Sequence, residues 1–186
     1  HYTKTPHEFV CLTDADIPNV KTIPLLHTQK ENGWRGWWSK IELFRPNLFS
    51  GPVLYMDLDV LVVNDIKPLL SCCDRFTMVK ERTNLPDYFS SSCMAWTGDY
   101  SFVYEAFKQD PQKYIQEFKS LPRLGDQAFI SQEISASCTK IRTFCQALGY
   151  LPVVSYKRDC VRRGGPPPKA CMINLGGRPK PHTFKS

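Results

Sequence analysis

Short apolar blocks alternate with polar ones along the chain, and these blocks define the predicted elements. Residues 52–63, Pro-Val-Leu-Tyr-Met-Asp-Leu-Asp-Val-Leu-Val-Val, are an apolar run of strand-forming residues with two carboxylates, Asp57 and Asp59, set into it. Ser50-Gly51-Pro52 opens the run and Asn64-Asp65 closes it. A short apolar run bounded in this way predicts a strand buried on both faces. The alternative is a polar turn around the two aspartates; the run's continuation through Val60 to Val63 favours the strand.

Upstream, residues 8–12 and 20–26 read as short strands, with a polar loop over 27–36. Trp37, Trp38, Ile41, Leu43 and Phe44 recur near helical spacing, and Pro46 ends the helix they predict, with both tryptophans in the core. Lys40 lies near the apolar side of that helix, where it either snorkels or reaches an anion at the strand ends. Downstream, residues 65–70 form a turn or one helical turn, 76–79 a strand, 80–87 a polar loop and 88–96 a strand that opens with hydroxyls. Helices follow over 100–109, over 111–119 with Pro111 at the first position, and over 127–134. Residues 141–148 fit a short helix or a strand. A strand at 151–154, a basic proline- and glycine-containing loop at 157–169 and a last strand at 170–175 complete the pattern. Alternating strands and helices make the class α/β, and 186 residues suit one domain over 1–186.

Composition adds bounds. Hydrophobic residues are 42% and charged residues 23%, as in ordinary globular proteins, and no apolar run is long enough to cross a membrane. The formal net charge of +6 favours anionic partners such as nucleotide phosphates or acidic membrane surfaces. It is too diffuse to indicate nucleic acid. Eight cysteines contain no Cys-x-x-Cys pair, which argues against zinc. Free thiols in a reducing, cytoplasmic compartment are expected, although an even number leaves disulfides open. Lys157, Arg158, Arg162, Arg163 and Lys169 form a basic cluster. It is either a solvated loop, a lid over a diphosphate, or a contact for an acidic acceptor or a bilayer surface.

Candidate chemistry starts from Asp57 and Asp59. A buried carboxylate without a partner costs several kcal/mol or takes up a proton. Two of them, two residues apart in an extended chain, point the same way. At the carboxyl end of a strand, where open α/β sheets bind ligands, they would share a divalent cation. Oxygen ligands suit Mg²⁺ or Mn²⁺, which also hold substrate phosphates.

Five segments resemble one family in order. Residues 53–62 are similar to the metal-binding Asp-x-Asp strand of nucleotide-sugar glycosyltransferases of the GT-A fold, in the glycogenin- and galactosyltransferase-like family eight. Trp38-Ser39-Lys40-Ile41 falls where that family has a helical Arg or Lys contacting the donor. Residues 88–94, Tyr-Phe-Ser-Ser-Ser-Cys-Met, resemble its Tyr-Phe-Asn-Ser-Gly-Val-Met segment. Gly125-Asp126-Gln127 resembles its Asp-Gln pair beside the reacting anomeric carbon. Asn174, Gly177, Lys180, Pro181 and His182 match the spacing of its His-x-x-Gly-x-x-Lys-Pro-Trp motif. The resemblance spans roughly residues 8–182.

The resemblance implies a Rossmann-like, mixed but mostly parallel central sheet flanked by helices. It implies retaining transfer of a sugar from a UDP-sugar-like donor to an acceptor hydroxyl of a glycan, lipid or small molecule. Asp57, Asp59 and Asn174 would bind Mn²⁺ or Mg²⁺. Lys40, Ser90, Ser91, Gly177 and Lys180 would contact donor or phosphate together with the two aspartates, and Asp126 and Gln127 would serve the reacting sugar. Read without the resemblance, Asp126 is a helix N-cap, and His27 has no assignable role. The sequence departs from the motif at Asn174, where the family has His (another register puts Gly176 there), and at Ser90, where it has Asn. The family's first strand is not found before Glu8, so a truncated, minimal or degenerate transferase is expected. A non-catalytic binding module and a haloacid-dehalogenase-type phosphatase, which would want Thr or Val at Leu61, are the alternatives.

Overall fold

The computed structural model describes residues 3–27, 34, 36–81, 88–120 and 123–176. In chain order come β1 (Val10–Leu12), β2 (Lys21–Ile23), a 3-10 helix (Gly36–Phe44), β3 (Val53–Met56), β4 (Val60–Val62), α1 (Lys67–Leu70), β5 (Thr77–Lys80) and β6 (Phe89–Trp96). Then follow α2 (Ser101–Gln109), α3 (Pro111–Glu117), β7 (Lys119–Ser120), β8 (Arg123–Leu124), α4 (Gly125–Ala136), β9 (Arg142–Thr143) and α5 (Phe144–Leu148). Last are β10 (Val153–Ser155), a π-helical turn (Tyr156–Cys160), a 3-10 turn (Val161–Arg163) and β11 (Met172–Asn174). The described residues form two compact units, one from 3–4, 51–98 and 139–176, the other from 5–50 and 99–138.

The first unit holds two sheets, β3-β6-β5-β9 and β10-β11-β4. β6 runs antiparallel to both β3 and β5, while β5 pairs parallel with β9. β11 is parallel to β10 and antiparallel to β4. The class is α/β, but the sheets are mixed rather than mostly parallel, which corrects that expectation. Part of the reason is chain length: only residues 81–88 separate β5 from β6, too few for the crossover that a parallel pair needs.

The run 52–63 is not one strand. It breaks at Asp57-Leu58-Asp59, where the Val60 N–H donates to the Asp57 carbonyl at 3.1 Å, and its halves join different sheets. Leu58 is 90% exposed at the tip of this turn. Apolar periodicity reads the same for a continuous strand and for two short strands separated by a tight turn. The carboxylates decide the matter, because half-burial in a turn spares them the cost of burial within a strand.

Between the sheets of this unit lies a core of Leu69, Cys72, Cys93, Ala95, Phe144 and Met172, with Leu54, Met56 and Val62 packed against it. All eight cysteines are free. Burial pushes the Cys73 thiol up to about 11 and raises those of Cys72, Cys93, Cys160 and Cys171. These thiols therefore stay protonated and pack as small apolar groups. The segment 141–148, open between helix and strand, is both: β9 runs directly into α5, whose start carries a reciprocal Thr143–Gln146 capping box.

The second unit pairs β1 and β2 in parallel and packs the 3-10 helix against α2 and α4. Its core is aromatic. Trp38 stacks on Phe107 at 4.8 Å, and Phe107, Tyr114 and Phe118 close around Phe129 at 5.3, 4.8 and 5.6 Å. Trp37, expected in this core, is 57% exposed, because adjacent residues of a helix face different directions and Trp38 takes the inward one. Glu42 is fully buried. Its carboxylate accepts the N–H groups of Leu26 and His27 at 2.7 and 2.9 Å and pairs with Arg45 at 3.3 Å, pinning the chain beyond β2. His27 thereby gains a role: its ring stacks on Trp34 at 4.1 Å and its Nε2 lies 2.8 Å from the Tyr104 hydroxyl. Among the described residues no helix is long and apolar enough to cross a membrane.

Candidate functional site

In the first unit the Asp57–Asp59 turn follows the carboxyl end of β3 and leads into β4. Its backbone is held from two sides. The Asp57 N–H donates to the Ser92 carbonyl at 2.9 Å, extending the β3–β6 ladder by one bond. The Asp59 carbonyl accepts the Leu175 N–H at 3.0 Å, tying the turn to the chain just past β11. Asn174, the last residue of β11, stands opposite Val60 on one side and Ser155, the last residue of β10, on the other. The backbone of the Asp57–Asp59 turn thus adjoins that of Asn174 and Leu175, near where β3, β10 and β11 end.

The side chains are half-buried and already oriented. The Tyr55 hydroxyl donates to Asp57 Oδ1 at 2.5 Å, which fixes that carboxylate from below. Asn174 Oδ1 accepts the Gly176 N–H at 2.8 Å and keeps a second lone pair. Lys157 Nζ donates to the Gly176 carbonyl at 3.1 Å, so a cation sits at the start of the glycine-rich tail. Among the described residues, no three His, Cys, Asp or Glu side chains come together as a metal-ligating group. A cation here would draw on two carboxylates, one amide oxygen and solvent, an all-oxygen set of the kind Mg²⁺ and Mn²⁺ accept.

Ser90 and Ser91 lie inside β6 and are buried. The Ser90 hydroxyl donates to Ser92 Oγ at 3.0 Å and accepts the Ser92 N–H at 3.3 Å. β6 pairs Met94 with Met78 but Ser90 with Val79, so residues 91–93 bulge out of the β5 register. The carbonyl of Ser92, inside that bulge, is the one that holds Asp57. A bulge of this kind re-aims a strand next to a site.

In the second unit the structure joins two other expected site residues. Lys40 Nζ meets Asp126 Oδ2 at 3.1 Å, with the two side chains 8% and 7% exposed. Asp126 is not the N-cap: α4 begins at Gly125, and Asp126 lies in the first turn, where its negative charge suits the helix dipole. Gln127 follows, with its carbonyl taking the Ser131 hydroxyl at 2.6 Å. Gly125 has φ +70°, and a Cβ built there would stand 3.1 Å from the Trp37 indole nitrogen. The exposed Trp37 therefore lies over the start of α4 at Gly125. Gly125→Ala is expected to cost about 1–2 kcal/mol from the left-handed backbone alone. A urea melt reads this directly, and an unchanged midpoint would remove the steric role given to Gly125.

Sequence reasoning missed Glu42, Tyr55 and Ser92. The signal for Tyr55 was its place two residues before Asp57, on the same side of an extended strand. Glu42 gave only two signals, its place between apolar residues and the Arg45 three residues on. Gly177, Lys180 and His182 lie outside the described residues. Compared with known proteins, the chain matches no family model and no curated relative.

Proposed function

We propose that the chain is a metal-dependent glycosyltransferase of the GT-A type, moving a sugar from a nucleoside-diphosphate donor to an acceptor hydroxyl with retention. The observation that carries this reading is the Asp57–Asp59 turn: two half-buried carboxylates on a backbone that adjoins Asn174 and Leu175, near where three strands end. The donor set fits Mg²⁺ or Mn²⁺, with Asp57, Asp59 and Asn174 as the residues that would hold it. When bound, such an ion supplies Lewis-acid neutralisation of a leaving diphosphate. The chain's own contribution is preorganisation. Tyr55 orients Asp57, and the Ser92 and Leu175 backbone bonds hold the turn without using either carboxylate. Lys180 and Gly177 would add positive charge and close backbone approach at the phosphate. Ser90, Ser91, Lys40, Asp126 and Gln127 carry the donor and sugar roles that the resemblance implies. A cytoplasmic location belongs to this same reading.

A second reading, a non-catalytic module of the same ancestry, is favoured by two observations. Asn174 Oδ1 already serves the Gly176 N–H, and the Ser90 hydroxyl is spent within its own strand. A panel of nucleotide sugars separates the two readings. Hydrolysis of one UDP-sugar with Mn²⁺, abolished by EDTA, is the expected result. Binding without turnover of any donor would establish the module instead.

A further inference from the structure

The first unit contains a cavity of about 470 Å³ whose walls have no part in the Asp57–Asp59–Asn174 group. Four cationic side chains line it, Arg158, Arg162, Arg163 and Lys169, against a single carboxylate, Asp159. Two of the charged groups are already engaged: Asp159 accepts the Ser155 N–H at 2.8 Å, and Arg158 bridges to Glu81 at 3.1 Å. Among the described residues neither Arg162 nor Arg163 has an ion-pair partner, and both are exposed.

The cavity is built rather than incidental. The π-helical and 3-10 turns that carry the arginines are anchored by Cys160, 3% exposed in a small core with Val154, Ala170 and Ile173. Gly164 at φ +72° stops the turn, and the Gly165 N–H returns to the Cys160 carbonyl at 3.1 Å. Beyond it, residues 166–168 are three prolines, held by the Ala170 N–H on the Pro167 carbonyl at 2.9 Å and by Asn64 Nδ2 on that of Pro168 at 3.2 Å. Lys169 lies over the Tyr150 ring at 5.6 Å. Such fixing lowers the entropy cost of binding.

We propose that this cavity binds an organic phosphate. Guanidinium forks match phosphoryl oxygens two at a time. The volume exceeds what inorganic phosphate needs and falls in the range of small-molecule sites. Tyr150, Leu151 and Pro167 give the organic part an apolar wall. The cavity shares Leu151, Arg158 and Asp159 with a smaller cleft that reaches Asn174. Resting on the transferase reading, the ligand is the acceptor, a phosphate ester presenting a hydroxyl to the proposed centre.

The test is calorimetric titration with glucose 6-phosphate in EDTA, with glucose as control. Binding of the phosphate ester alone is expected. The double variant Arg162→Ala/Arg163→Ala should weaken it at least about tenfold with an unchanged thermal midpoint, since both side chains are exposed. Asp59→Asn should leave it intact, so a failed donor site and a failed anion site give different results. Vesicles containing phosphatidate provide a second arm. Binding to them that the double variant abolishes, without hexose-phosphate binding, keeps the phosphoryl site and assigns its source to a bilayer. Displacement of the hexose phosphate by UDP with Mn²⁺ would overturn the proposal in favour of a donor subsite. No binding in either arm, or binding indifferent to the double variant, would overturn it outright.

Discussion

Lys40→Ala is expected to lower the unfolding free energy by about 3–5 kcal/mol, the range for breaking a buried ion pair by removing one partner. Against a typical total of about 5–15 kcal/mol, that is a large share. The two side chains are 8% and 7% exposed and 3.1 Å apart, so truncating the lysine leaves the Asp126 carboxylate in a dry site. Asp126→Ala should cost as much, by leaving the ammonium. Replacing both together, Lys40→Met with Asp126→Leu, should recover most of the loss, because well-packed apolar pairs often match buried ion pairs. Urea unfolding of Lys40→Ala, Asp126→Ala and the double Lys40→Ala/Asp126→Ala forms a double-mutant cycle, and a coupling below about 0.5 kcal/mol would mean that the pair does not act as a unit. The outcome also bears on function. A large coupling means that Asp126 is held in place by Lys40, and on the transferase reading Lys40→Ala would then lower activity through position as well as through stability.

On the transferase reading, Asp57→Asn and Asp59→Asn have the largest expected effect on activity, each a loss of about 100-fold or more. The estimate follows from the several kcal/mol that a Lewis-acidic ion supplies and the tenfold per 1.36 kcal/mol that rates obey. Stability should change little. The bonds that hold the turn, Asp57 N–H to Ser92 and Asp59 carbonyl to Leu175, belong to the backbone and survive both substitutions. Asn at position 57 also keeps an acceptor for the Tyr55 hydroxyl, which sits 2.5 Å from Asp57 Oδ1. A variant that loses activity at an unchanged unfolding midpoint assigns the carboxylates to chemistry. A variant that unfolds would assign them to architecture.

The sequence made much of this fold legible, and the gaps have physical causes. α2, α3 and α4 announce themselves through spacing, Pro111 and the Gly125 break, and the last two strands through short apolar blocks. The break inside 52–63 was hidden because its flanks are equally apolar, and Leu58 looks like a core residue until the turn turns it outward. Glu42 was hidden because, apart from the nearby Arg45, its partners are backbone groups sixteen and fifteen residues away, which no local pattern encodes. The basic segment 157–169 reads as a loop by composition. Half of it is helical, because Cys160 anchors it to the core and Asp159 ties it to Ser155. In the candidate site, Asp57, Asp59 and Asn174 stand out in the sequence by their spacing. Tyr55, Ser92 and the β6 bulge do not, since they act through geometry that appears only when β3 and β6 pair.

A transferase of the proposed kind binds a divalent cation and a nucleoside diphosphate together at the Asp57–Asp59 turn. The most direct measurement is the thermal midpoint of the protein with Mn²⁺ and UDP, alone and together. The predicted result is a rise with both present, worth about 2.7 kcal/mol at a hundredfold excess over Kd, and none in Asp59→Asn. An unchanged midpoint with every nucleoside diphosphate, or an equal rise in Asp59→Asn, would contradict it.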